Sequence, residues 1–174
     1  LHPSGGEFYG FRINDNGTER QLGSSRYSTD WLRNEALGFI RREANDPFFL
    51  VYTPFAPHGP AIPANRHQDD LVGHPLHRPP SYFDDVSDTP TWVRFFKAIA
   101  GPGLADVIDD LRLNQLWTLL AVDEAVERLL EKLEKLGLTD NTVVIFTSDH
   151  GFMWGEHWLV GKFNPYEESI RVPY

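Results

Sequence analysis

Thr142-Val143-Val144-Ile145-Phe146-Thr147-Ser148-Asp149-His150-Gly151 joins an unbroken apolar run to a carboxylate, an imidazole and a glycine. A run without alternation is what a strand covered on both faces shows, so the stretch predicts a buried strand over 142–147. Just before it, Val122, Ala125, Val126, Leu129, Leu130, Leu133 and Leu136 recur at spacings of three and four, which predicts a long helix over 105–136. Glu124 with Arg128 and Glu131 with Lys135 are favourable pairs one turn apart, and Gly137 offers the left-handed position that ends a helix. The same order occurs upstream. Ser28, Thr29 and Asp30 supply capping oxygens, Leu32, Ala36, Phe39 and Ile40 predict a helix of about 13 residues, and after Asn45-Asp46-Pro47 a second apolar run, Phe48–Tyr52, stops at Thr53-Pro54. Helices feeding buried strands make an α/β fold with a largely parallel sheet. In such sheets ligands bind beyond the carboxyl ends of the strands, where Asp149, His150 and His58 fall.

The remainder is less regular. Residues 1–25 are rich in glycine and read as loops, with Asp15-Asn16-Gly17 a hairpin turn. The stretch from Thr53 to Gly103 holds most of the 13 prolines, His67, His74 and His77, and the pairs Asp69-Asp70 and Asp84-Asp85. It reads as a surface excursion of solvated loop with a short helix over 92–99, and Ser169–Val172 is strand-like. Of 174 residues, 41% are hydrophobic and 24% charged, enough for a packed core. No apolar run approaches the roughly 18 residues of a membrane span. The net charge of −9, without a Lys/Arg-rich tract, argues against nucleic acid as a partner. Zero cysteines exclude disulfides, thiolate zinc sites and a cysteine nucleophile within these residues.

Three places carry candidate chemistry. Asp149 and His150 either present two ligands to one metal ion or serve as a helix cap and a packed ring. His58, in Ala56-Pro57-His58-Gly59-Pro60, is either aimed by its proline neighbours or a plain loop histidine. Lys162 closes Gly155-Glu156-His157-Trp158-Leu159-Val160-Gly161-Lys162, a loop with glycines at both ends, where a surface lysine is the plain alternative to a site residue.

Together, Pro47-Phe48-Phe49-Leu50, Ala56-Pro57-His58, Thr147-Ser148-Asp149-His150-Gly151, Gly155-Glu156-His157, Lys162 and Tyr166–Pro173 resemble the type I sulfatases of the alkaline-phosphatase superfamily. Tyr27-Ser28-Thr29-Asp30 and Asp85–Arg94 are most similar to the N-acetylglucosamine-6-sulfatase branch. The resemblance implies an alkaline-phosphatase-like sandwich, a largely parallel sheet flanked by helices, of which residues 1–174 are the central part of a single catalytic domain. It implies a sulfuric-ester hydrolase acting on a sulfated small molecule or glycan, in a secreted, periplasmic or lysosomal setting. Asp149 and His150 would be metal ligands, with calcium implied. His58 and Lys162 would be the catalytic contacts to the sulfate ester, and His157 would touch substrate or support Lys162. Glu167, Glu168 and Arg171 would pair to hold the returning strand.

Two departures stand out. Family members cleave with a formylglycine made from a Cys/Ser-x-Pro-x-Arg motif, and this sequence has neither that motif nor a strand ending in Asp-Asp. The nucleophile is expected upstream, and residues 1–174 alone are expected to be inactive. His150 stands where many relatives have Asn, which admits manganese or magnesium beside calcium. Phosphonate monoester or phosphodiester hydrolysis, and an inactive sulfatase-like module, are the alternative readings. Strands that need neighbours also predict poor solubility for the isolated fragment.

Overall fold

The computed structural model describes residues 7–174, which divide into two compact units, one running to Val72 with Leu113–Thr142 added, the other comprising Gly73–Arg112 and Val143–Tyr174. The glycines at positions 5 and 6 lie outside the described residues.

The first unit opens with β1 (Arg12–Asp15) and β2 (Thr18–Gln21), paired antiparallel with Asp15 opposite Thr18. Asn16 and Gly17 both have positive φ, 49° and 91°, the geometry of a two-residue turn that follows the twist of its strands. The predicted hairpin is therefore present. Helix α1 (Ser28–Arg42) follows, with Tyr27, whose side chain makes no capping bond, at its cap position. Ser28 and Thr29 lie inside the first turn and are buried, contrary to the capping expected of them. The amide of Ser28 donates instead to the carbonyl of Phe8 (2.8 Å), so backbone does the work of a capping side chain. That frees Tyr27 for the core, where it packs with Phe8, Ala56, Ala64 and Ala121. Its hydroxyl donates to the carbonyl of Ile62 at 3.1 Å.

Helix α3 (Leu104–Lys135) buries Ala121, Ala125 and Leu133, while Leu130 and Leu136, expected on the same face, are exposed. Its end matches the sequence reading. Gly137 has φ 68°, its amide donates to Glu134 O and that of Leu138 to Leu133 O, both at 2.9 Å. This is the paired bonding of a left-handed helix stop. Lys135 meets Glu131 at 2.9 Å, as expected. Glu124 does not take Arg128. It takes Arg66, whose Nε lies 3.0 Å from Oε2 and whose terminal nitrogens bind both Asp30 oxygens at 2.7 and 2.8 Å.

Neither apolar run forms a strand among the described residues. Residues 48–52 and 142–147 join no sheet among the described residues, so the parallel sheet expected of them is not formed there. A strand exists only through hydrogen bonds to a neighbour, and each run lacks one here. The second unit holds α2 (Thr91–Ile99), the predicted short helix, and the antiparallel pair β3 (Met153–Trp154) and β4 (Val160–Gly161). Where Ser169–Val172 read as strand-like, a single helical turn, α4 (Glu167–Ile170), forms instead. The amides of Ser169 and Ile170 turn back to Tyr166 O, at 2.9 and 3.1 Å, which closes that turn.

Candidate active site

His150 precedes β3 and Lys162 follows β4. An antiparallel hairpin brings its two flanks side by side, and Met153 opposite Gly161 sets the register that does so here. Lys162 Nζ consequently lies 2.8 Å from His150 Nε2. His150 Nδ1 is 2.7 Å from the carbonyl of Gly151, which only a protonated nitrogen can bond, so the neutral ring carries its lone pair on Nε2 and accepts from the Lys162 ammonium. Asp149 Oδ2 is 3.5 Å from the same Nε2, and its side chain is otherwise 85% exposed. A carboxylate, an imidazole lone pair and an ammonium thus meet at one point.

The returning segment holds this turn in place. Gly151 N–H donates to Ser169 O (2.9 Å), and Thr147 Oγ1–H donates to Pro173 O (2.9 Å). The Glu–Arg pairing expected at the entrance is not formed among the described residues. Backbone bonds do that work, together with a long contact from Ser81 Oγ to Glu168 Oε1 at 3.5 Å.

His157 occupies the loop between β3 and β4. Its Nδ1 is 2.9 Å from Asp84 Oδ2 and its ring stacks on Tyr166, with centroids 4.5 Å apart. Beside it, the buried carboxylate of Glu156 receives Trp154 N–H and lies against His77 Nε2, both at 2.6 Å. Arg78 binds Asp109 through two nitrogens (2.8 and 2.6 Å), which raises the guanidinium and holds the carboxyl below its ordinary range. These contacts correct the reading of the proline-rich stretch as solvated loop. His77 and Asp84 are anchors, and His67 is buried with Nδ1 2.8 Å from Asp70. Only the proximity of histidines to acidic pairs in that stretch hinted at this.

His58 belongs to the first unit. It is exposed, its Nδ1 bonds the carbonyl of Gly59 at 2.8 Å, and its ring lies against Phe55. The second unit brings together Asp149, His150 and Lys162, with His157 on the adjoining loop. Among the described residues no group of three metal-ligating side chains is assembled. The Asp149 and His150 ligand atoms, 3.5 Å apart, could span one divalent cation at bond lengths of about 2.0–2.4 Å only with the Nε2 lone pair turned from the Lys162 ammonium to the ion.

The sulfatase family model matches residues 6–174. The chain belongs to the sulfatase family. It is 31% identical over 176 residues to the extracellular sulfatase SULF-1 homolog of Drosophila melanogaster, covering 97% of this chain and 16% of that protein. It is 30% identical over 172 residues to the N-acetylglucosamine-6-sulfatase of Homo sapiens, covering 96% of this chain and 31% of that one. A solved structure in complex with its substrate D-glucosamine-2-N,6-O-disulfate superposes with a TM-score of 0.83 at 26% identity, covering 96% of this chain and 46% of the other. The chain therefore spans less than half the length of each of these relatives. Its fold class is that of the sulfatases, the alkaline-phosphatase-like α/β fold.

Proposed function

We propose that the protein carrying this chain is a divalent-metal-dependent sulfuric-ester hydrolase that removes sulfate from a sulfated sugar. The observation that carries the reading is the meeting of Lys162 Nζ, His150 Nε2 and Asp149 across the two flanks of the β3–β4 hairpin, at 2.8 and 3.5 Å. Sulfate-ester cleavage builds negative charge on the sulfuryl oxygens and on the departing alkoxide, and a site for it needs cationic groups there. Lys162 is the ammonium placed against the sulfuryl oxygens. His58 is assigned to the leaving-group side, as donor of a proton to the departing oxygen. His157 is a substrate contact. Asp149 and His150 would hold the metal, which supplies positive charge to the sulfuryl group when bound. Calcium is the metal implied by the family, and the mixed oxygen and nitrogen pair also suits manganese or magnesium.

The relatives' names, and the disulfated glucosamine in the solved neighbour, support a sulfated sugar over a phosphodiester. The Drosophila relative's name supports a position outside the cell, and no helix among the described residues is long and apolar enough to cross a membrane. In this reading 48–52 and 142–147 become strands of a largely parallel sheet where the rest of the protein supplies their neighbours. The support is their bare apolar surface: Phe49 is 86% exposed and Val143 87%.

The test measures sulfate release from 6-O-sulfated glucosamine by the whole protein, against an aryl sulfate and an aryl phosphodiester, before and after chelation. Sulfate-ester turnover lost to chelator and restored by calcium, manganese or magnesium is expected. Faster turnover of the phosphodiester, or activity indifferent to thorough chelation, overturns the reading. Sulfatase activity from residues 1–174 alone, which contain no Cys/Ser-x-Pro-x-Arg nucleophile motif, would overturn the expectation that the nucleophile lies outside them.

A further inference from the structure

His157 and the next residue, Trp158, both have positive φ, 52° and 64°. Side-chain-bearing residues keep that conformation only where their surroundings over-determine it, and such positions cluster at working sites. Here the surroundings are residues 81–84. His157 N–H donates to Ser81 O (2.8 Å), Phe83 N–H to Gly155 O (3.0 Å) and Trp158 Nε1–H to Asp84 O (2.9 Å). The Phe83 ring lies flat on Trp158, with centroids 4.2 Å apart and planes 8° from parallel. At Gly155 (φ 105°) a Cβ would come within 2.5 Å of the Tyr82 ring, so only glycine permits the approach.

On that frame Asp84 Oδ2 meets His157 Nδ1 at 2.9 Å. A carboxylate accepts, so Nδ1 carries the proton and the neutral ring's lone pair lies on Nε2. Asp84 Oδ1 is buried with no hydrogen-bond partner among the described residues, leaving His157 as the side chain this carboxylate engages. Tyr166, stacked on the ring, restrains its rotation. No hydrogen bond among the described residues engages Nε2.

We propose that Asp84 is a positioning residue that locks His157 in the Nδ1–H form and turns Nε2, as a hydrogen-bond acceptor, toward the hydroxyl or amine N–H of a sulfated sugar. The inference rests on the reading of His157 as a substrate contact. It assigns that contact to the sugar's donor groups, leaving the sulfate oxygens to Lys162.

The experiment uses the whole protein with ¹⁵N-labelled histidine, His157 being assigned by its loss in His157→Gln. A bare Nε2 in the wild type, changing to Nε2–H in Asp84→Asn and returning to bare in Asp84→Glu, is expected. Kinetics on the sulfated sugar should show KM raised about 10-fold in Asp84→Asn, the weight of one hydrogen bond, with kcat little changed. His157→Ala should raise KM similarly, and the double variant should be no worse than His157→Ala alone. A wild-type ring protonated on Nε2, or penalties that add in full in the double variant, overturns the proposal. A wild type that turns over no sulfate ester sinks the functional reading instead, and the wild-type tautomer still decides whether Asp84 holds the ring.

Discussion

Gly151 follows His150 because nothing larger fits there. A Cβ at this position would fall on the carbonyl oxygen of Glu168 and within 2.9 Å of that of Arg171, and backbone carbonyls cannot swing aside as a side chain can. Gly151→Ala should therefore destabilise the protein by roughly 3 kcal/mol, the upper end of ordinary single substitutions, and displace Asp149 and His150 with it. Urea unfolding of the whole protein measures the first effect and residual turnover the second; an unchanged midpoint would mean the turn relaxes. Lys162→Ala removes the ammonium while leaving the turn closed. It should lower kcat/KM on the order of 100- to 1,000-fold, the effect of deleting one preorganised charge-stabilising donor. The candidate residues themselves were legible in the sequence because each follows an apolar run or lies between glycines or prolines. Asp84 was not, since an acidic pair in a proline-rich stretch looks the same whether solvated or bound to a histidine 73 positions away.

At the scale of elements, the helices were the legible part. Periodicity over 105–136 and the glycine at 137 predicted α3 and its stop to within a residue, because both signals are local. The cap of α1 and the partner of Glu124 were misread, because both are decided by distant backbone or side chains. Arg66 joins α1 to α3 through Asp30 and Glu124, and its hydrogen bonds hold the Glu124 carboxyl below its ordinary value. A lowered folded value means the charged form stabilises the fold above the unfolded pKa of about 4.3, and that contribution is lost as pH falls through the folded value. Arg66→Met should flatten the acid limb of stability below about pH 4.3. It should cost a few tenths to about 1 kcal/mol at neutral pH, because the pair is partly exposed. Denaturation midpoints measured between pH 3 and pH 7 test this; an acid limb equally steep in the variant would assign the slope to other carboxylates.

At the scale of the molecule, apolar surface is left bare in each unit: Val51 is 63% exposed in the first, and Ile145 and Phe146 are 68% and 63% exposed in the second. Unpaired backbone beside exposed β-branched side chains is a template for association. Residues 1–174 produced alone should self-associate, and Val143→Lys with Ile145→Lys should raise the soluble fraction several-fold, as charges do on open edges. Light scattering and a thermal melt decide the matter. A monodisperse, cooperatively melting fragment would show that these runs need no neighbours.

Near neighbours along the chain sufficed to set α1 to α3 and the stop of α3, the two-residue turn at Asn16-Gly17 and the apolar runs, and the order and spacing of Asp149, His150, His157 and Lys162 carried the family. What depends on atoms far apart in sequence came from packing, and was seen only in the fold. The fold set Lys162 on His150 through the register of a hairpin, gave Glu124 to Arg66, buried Glu156 against His77 and placed Asp84 beneath His157. Local conformation follows from sterics and capping within a few residues, whereas pairing between remote side chains follows from packing, and no spacing along the chain records it.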